Sequence, residues 1–261
     1  MWNAYVVTSA DRILDGSFEK FLESVLRQSA QVRVIVGLRG CDLPLETVRK
    51  VHATVRLPFN TSLSKARNEL LAAYPSANNE WVCFPDDDCW YPEGLLNEID
   101  SAKNSLDFLI GVIDTGQKVF PNNEDPRNGI EVDLQLALRV TASAALFVSG
   151  EKIQHFRFDE RLGLGAKVGS AEDLDLVLFL LQQGNKGIYT QDLRVGHPYK
   201  PQRDGQYFEG SIAALSKFYG CIPMARYSAL RRTIRGIILA TLGKLPLKQA
   251  LRGFFYLIKK W

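Results

Sequence analysis

Trp81-Val82-Cys83-Phe84-Pro85-Asp86-Asp87-Asp88 is the stretch on which the reading of the chain turns. Its first four residues form a short, fully apolar strand, the kind a sheet covered on both faces requires. Three carboxylates follow at once, and Pro92 then suits the first turn of a helix. Working outward, Ala4–Val7 reads as a first strand. Phe18 to Gln28 is an amphipathic helix with Phe18, Phe21, Leu22 and Val25 on one face. Val32–Val36 is a second strand ending at Gly37, followed by a short helix around Leu45–Val51 and a strand at Ala53–Leu57. Ser62 or Ser64 caps a helix reaching Tyr74, with Leu63, Ala66, Leu70 and Leu71 buried. Alternating strands and helices of this kind predict an α/β fold: a doubly wound, mostly parallel sheet with helices on both faces.

After a strand at Asp107–Val112 the rhythm breaks. Asp114 to Asp133 is polar and rich in Pro, Gly and Asn, and reads as a long surface loop. Leu138–Val148 is expected to be a buried strand near a cleft, and Gly187-Ile188-Tyr189 a further strand.

With 46 % apolar and 23 % charged residues, the 261-residue chain has material for one large core. Its four cysteines (Cys41, Cys83, Cys89, Cys221) stand far apart, which argues against a zinc framework or a disulfide-stapled fold. The first residues show no basic region followed by an apolar run, and no stretch approaches a membrane span, so a cytoplasmic location is expected. The net charge of +3 hides an asymmetry: Gly210 to Trp261 holds ten basic residues and no acid, leaving a body at −7. This divides the chain into a main domain, residues 1–209, and a basic helical C-terminal extension, residues 210–261. The pattern does not fit nucleic-acid binding, in which basic residues line the main groove.

Adjacent carboxylates beyond the carboxyl end of a strand lie where open α/β sheets bind ligands. Alternation lets Asp86 and Asp88 converge while Asp87 faces elsewhere. Close carboxylates resist joint ionisation unless a cation neutralises them, and a hard divalent ion carrying a diphosphate does so; the alternative is a solvated acidic turn, against which stand the apolar strand before the acids and the Pro-started helix after them. A second acidic group, Gly169-Ser170-Ala171-Glu172-Asp173-Leu174-Asp175, opens a helix whose Leu174, Val177, Leu178 and Leu181 form a stripe and which Gly184 ends. With Ser170 as N-cap, Asp173 takes a capping-box position; the alternative is a general base under the flexible Gly163–Gly169 loop, read as an acceptor-side loop. His197, in Val195-Gly196-His197-Pro198, is a candidate third metal ligand.

Taken together, Val6-Val7-Thr8-Ser9, Ser64-Lys65-Ala66-Arg67-Asn68, Phe84-Pro85-Asp86-Asp87-Asp88, Gly169-Ser170-Ala171-Glu172-Asp173 and Gly196-His197-Pro198 resemble, in order and spacing, the family 2 glycosyltransferases of GT-A fold. The resemblance spans residues 4–200. It implies that Asp86 and Asp88 form a DxD motif holding Mn2+ or Mg2+ and the donor diphosphate, with Asp87 also at the donor and His197 as third ligand. Asp173, with Glu172, would supply the catalytic base. Thr8, Ser9, Lys65, Arg67 and Asn68 would line the nucleotide-sugar pocket. The family usually ends its second strand in an acid that reads the base. Here Gly37-Leu38-Arg39-Gly40-Cys41-Asp42 stands instead, so Arg39 and Asp42 are the candidates there. The implied activity is inverting transfer of a hexose, from UDP by expectation, to a glycan or lipid-linked acceptor in bacterial surface-polysaccharide (lipopolysaccharide-type) synthesis.

Other classes remain open. A sugar-phosphate nucleotidyltransferase would show a Gly-rich basic loop after the first strand, which Thr8-Ser9-Ala10-Asp11-Arg12 is not. A phosphohydrolase with an aspartyl nucleophile fits Cys89-Trp90 poorly. A non-catalytic nucleotide-sugar-binding scaffold would bind a donor without turnover. In the extension, Leu230, Ile234, Ile237 and Ile238 form one helical stripe, and Leu247, Leu251, Phe254, Phe255 and Ile258 a second beyond Pro246. Bordered by Lys and Arg, they predict peripheral attachment to an anionic membrane, the inner face of the plasma membrane; the alternative is that both helices pack onto the main domain or a partner subunit.

Overall fold

The central strand β1 (Trp2–Ser9) sends Tyr5 and Val7 into one hydrophobic core and Trp2, Ala4 and Val6 into a second on the opposite face. Burial on both sides is what a central strand between two helical layers requires. The computed structural model describes residues 1–28, 30–101, 106–120, 129–199 and 204–258. After β1 come α1 (Ala10–Leu14), α2 (Ser17–Leu26), β2 (Val32–Arg39), α3 (Leu45–Val48), β3 (Ala53–Leu57), α4 (Leu63–Ala73), β4 (Trp81–Cys83) and α5 (Leu95–Ser101). The stripe Phe18, Phe21, Leu22 and Val25 is the buried face of α2. Ser62 is the cap of α4, its Oγ accepting from the Lys65 amide at 3.4 Å. Ser64 instead donates to the Leu162 carbonyl at 2.6 Å and ties the helix to the glycine-rich loop.

The second half runs β5 (Phe108–Asp114), β6 (Val119–Phe120), β7 (Ile130–Glu131), α6 (Leu134–Val140), a 3-10 turn at Ser143–Ala145, β8 (Leu146–Ser149), α7 (Gly150–Ile153), α8 (Glu172–Gln182), β9 (Gly187–Gly196), α9 (Asp204–Lys217), α10 (Ala225–Thr241) and α11 (Leu247–Ile258). The strands form one sheet in the order β3-β2-β1-β4-β8-β5-β9-β7, with β6 paired to β5. β1 to β5 and β9 share one direction; β6, β7 and β8 oppose it. The sheet is thus mostly parallel, with one reversed strand inserted between β4 and β5. α9 crosses the expected boundary at residues 209–210, so the basic extension begins inside a helix.

Several local expectations are corrected. The strand read over Leu138–Val148 is the end of α6, a 3-10 turn and only then β8. Asp133 starts α6, its Oδ1 accepting from the Leu136 amide at 2.7 Å; a continuous apolar run does not by itself separate buried helix from buried strand. α5 begins at Leu95 rather than at Pro92, because Gly94 intervenes with φ +85°. The polar stretch 114–133 contains β6 and β7, and its residues 121–128 lie outside those described. Gly184 does end α8, with φ +74°. The N-cap of α8, however, is Ala171 in the left-handed region (φ 75°) with no side-chain cap, not Ser170. Asp173 therefore holds no capping-box position; its carboxylate accepts from the adjacent Leu174 amide at 2.7 Å.

Candidate active site

Beyond β4 the chain stays extended to Asp86 and then turns, the Cys89 amide donating to the Asp86 carbonyl at 3.2 Å. Trp90 and Gly196 exchange two backbone hydrogen bonds, each 2.9 Å, which clip the end of β9 onto this turn. The clip brings His197 over the acids. Its Nε2 lies 3.3 Å from Asp86 Oδ2 and 3.2 Å from Asp88 Oδ1. One ligand atom from each of Asp86, Asp88 and His197 falls within 4.8 Å of the others. Asp87 points away, towards Thr8 and Arg12. Convergence of the outer two aspartates and divergence of the middle one is what strand alternation predicts.

The charges here are arranged as mutual compensation. Burial alone would lower the His197 pKa, but the hydrogen-bonded Asp86 and Asp88 carboxylates raise it to about 9. Burial works to raise Asp86, and His197 more than offsets it, so its pKa falls. Asp87, half-buried, is pushed up to about 6 by desolvation and by the neighbouring Asp88. Asp88 has a side chain only 1 % exposed, and Arg12 of α1 meets it at 2.8 Å. Arg12 is the residue the sequence reading missed. It stands in α1, directly after β1. Its signal was position: one turn of helix beyond a strand end that neighbours β4.

The second acidic group reaches the same place through Arg67, which is buried on α4. Its guanidinium lies 5.4 Å from the Phe84 ring centroid and 5.5 Å from that of Phe158, and its Nη1 is 3.6 Å from Glu172 Oε1. The same charge acts on Asp86, Glu172 and Asp173. Gly163 (φ +97°) passes so close that a Cβ there would sit 2.8 Å from Ser64 Oγ and 3.2 Å from the Glu172 carboxyl. Burial raises the Glu172 pKa against the pull of Arg67. Burial and the neighbouring Glu172 push Asp173 up to about 7, in the range suited to a general base. Asp173 is half-buried, whereas Glu172 is enclosed and committed to Arg67.

Other residues singled out in the sequence fall elsewhere or play supporting parts. Thr8 is buried next to Asp87, and Ser9 precedes α1. Asn68 holds the Phe158 backbone with both ends of its amide, at 2.9 Å each way, and so braces the wall behind Arg67. Lys65 is exposed at a shallow pocket with Thr61, Glu160 and Gly165. Arg39 ends β2, and Asp42 pairs with Arg56 at 2.7 Å with both side chains more than two-thirds exposed, which leaves it turned to solvent.

Two carboxylate oxygens and an imidazole nitrogen form a donor set suited to a divalent cation. His197 Nδ1 lies 2.7 Å from the Pro198 carbonyl and donates there, which directs Nε2 to the carboxylates and fixes the tautomer a metal needs. The residues fit the ion. Trp90 is part of that support: a Cβ on Gly196 would come within 1.9 Å of its indole. Gly196→Ala is therefore expected to displace Trp90, tilt His197 and weaken Mn2+ binding about ten- to a hundredfold, checked by EPR titration of Mn2+ into the purified variant.

No protein-family model matches the chain, and no curated protein matches it in sequence. Solved structures match it in fold. S. aureus TarS 1-349 superposes with a TM-score of 0.66 at 15 % identity, covering 90 % of this chain and 72 % of that one. TarS 1-349 in complex with UDP-GlcNAc gives 0.64 at 15 %, covering 91 % and 71 %. The mannosyltransferase PcManGT from Pyrobaculum calidifontis, in complex with GDP-Man and Mn2+, gives 0.59 at 13 %, covering 88 % of this chain and 64 % of that one. The chain has the GT-A glycosyltransferase fold. In this GT-A chain the acids beyond β4, the start of α8 and the end of β9 all gather at one rim of the sheet.

Proposed function

We propose that the protein is a metal-dependent, inverting glycosyltransferase that moves a sugar, a UDP-linked hexose in the first instance, to a hydroxyl of a glycan or lipid-linked acceptor. The observation that carries this is the convergence of Asp86, Asp88 and His197 within 4.8 Å, with Glu172 and Asp173 above the same buried arginine. Family 2 membership and a part in bacterial surface-polysaccharide synthesis rest on the motif order and spacing alone. The solved structures that share the fold were obtained with UDP-GlcNAc, with GDP-Man and Mn2+, and with UDP, GalNAc and Mn2+, in line with a nucleotide-sugar donor.

When bound by Asp86, Asp88 and His197, Mn2+ or Mg2+ supplies Lewis-acid stabilisation of the departing diphosphate. Arg12, 2.8 Å from Asp88, is placed to add a second positive charge beside that leaving group. Asp173 accepts the acceptor hydroxyl proton as the oxygen attacks the anomeric carbon opposite the diphosphate, and one displacement inverts that centre. Arg67 and Glu172 hold the start of α8 so that Asp173 keeps its place; a salt bridge this enclosed contributes mainly geometry. The test is release of nucleoside diphosphate from a panel of UDP- and GDP-sugars with glycan and polyprenyl-phosphate-linked acceptors. Turnover that EDTA stops and Mn2+ restores is expected. Tight donor binding without turnover under any acceptor would favour a scaffold, and pyrophosphate release from sugar phosphate and UTP a nucleotidyltransferase.

A further inference from the structure

In an ordinary surface helix the large apolar side chains face the core. α10 and α11 do the reverse. α10 turns Ala225, Ser228, Ala229, Thr233 and Gly236 inward, and α11 turns in Ala250 and Gly253. Close approach to α9 dictates this: a Cβ on Gly236 would lie 2.0 Å from the Phe208 ring, and one on Gly253 would lie 2.9 Å from both Phe208 and Ile212. Outward stand Leu230, Ile234, Ile237 and Ile238 of α10, and Leu247, Leu251, Phe255 and Ile258 of α11, each at least 43 % exposed. The helices thus pack inward through small residues and leave their apolar stripes uncovered. A contiguous exposed apolar face of this kind marks an interaction surface.

Charge identifies the partner. Lys217 is held by Asp159 and Asp175, Arg232 by the Leu138 carbonyl, and Arg252 by Glu209. Arg226, Arg231, Arg235, Lys244 and Lys248 are exposed and make no ion pair among the described residues. From Gly210 onward no acid balances them. A second copy docked through this face would set like charges against each other. No helix among the described residues is long and apolar enough to cross a membrane. We infer that the outward face of α10 and α11 is a docking surface for an anionic lipid bilayer, its isoleucines and phenylalanines entering the interface and its free arginines and lysines meeting lipid phosphates. α9 joins this face to the catalytic rim: Gly210 passes so near Ser170 and Ala171 that a Cβ there would fall 2.2 Å from Ser170 Oγ. The start of α8 therefore rides on the membrane-facing layer, an arrangement suited to an acceptor held in lipid.

The test is flotation of the full-length protein with vesicles of phosphatidylcholine alone or of equimolar phosphatidylcholine and phosphatidylglycerol, with neither donor nor acceptor present, so that it reads binding independently of the transfer reaction. Flotation with the anionic vesicles only, at low salt, is expected. Arg231→Ala/Arg235→Ala should lower the partition coefficient roughly thirtyfold, and Ile234→Ser/Ile238→Ser/Phe255→Ser at least about tenfold, with thermal melting unchanged because all five residues are exposed. Absence of flotation with anionic vesicles, or equal flotation of the triple variant and the parent, would overturn the inference. So would light scattering that shows a dimer which the triple substitution splits, in a protein that ignores vesicles.

Discussion

Asp88→Asn is expected to lose metal-dependent transfer by about 10²–10³-fold, matching the several kcal/mol a Lewis acid contributes to such a leaving group. The asparagine keeps the volume of a side chain that is 1 % exposed and removes one of the two carboxylates placed to ligate the ion. It also removes the shortest of the ion pairs of Arg12, so a modest drop in melting temperature is expected. Circular dichroism separates that loss from the catalytic one. Mn2+ titration by EPR should show weakened binding in a protein that is still folded. Full activity in Asp88→Asn would remove the metal from the account.

Asp173→Asn is the second large effect. Turnover should fall on the order of 10²–10⁴-fold, the usual contribution of a general base, while UDP-sugar affinity by calorimetry stays unchanged. The amide can still accept from the Leu174 amide, so the start of α8 is preserved. The pH dependence follows from the same residue. A base works ionised, and burial with Glu172 alongside places Asp173 at about 7. The parent enzyme's kcat/KM should therefore climb as pH rises towards and through that value and fall on the acid side. The residual rate of Asp173→Asn should lack that acidic limb. Near-normal turnover in Asp173→Asn together with loss in Glu172→Gln would transfer the role to Glu172.

The legible parts of this molecule were those with strong periodicity or local crowding. The buried stripe of α2 and the four-residue apolar run at β4 each had one physical solution, and the doubly wound half of the sheet followed from them. Asp86 and Asp88 were visible because three carboxylates in a row behind a buried strand are costly without a cation. What stayed hidden depended on three-dimensional closure. Leu138–Val148 lacked a decisive period, and the helix start at Asp133 outranked its apolarity. Arg12 carries no motif; only the pairing of β1 with β4 puts it against Asp88. Arg67 read as a pocket residue, but the packing of Phe84 and Phe158 around it makes it the charge that links both acidic groups. The outward stripes of α10 and α11 were visible as stripes, and small residues on the opposite sides decided which face would be buried.

On the proposed mechanism, Asp86, Asp88 and His197 form one metal site facing a nucleotide diphosphate. Anomalous diffraction at the manganese edge, from crystals grown with Mn2+ and UDP, tests it most directly. A single strong peak between Asp86, Asp88 and His197 Nε2 is expected, with the diphosphate of UDP beside it and Asp173 facing the vacant sugar position. UDP bound with Mn2+ at any other group of side chains, or UDP held at this rim by Arg12 with no metal peak, would contradict it.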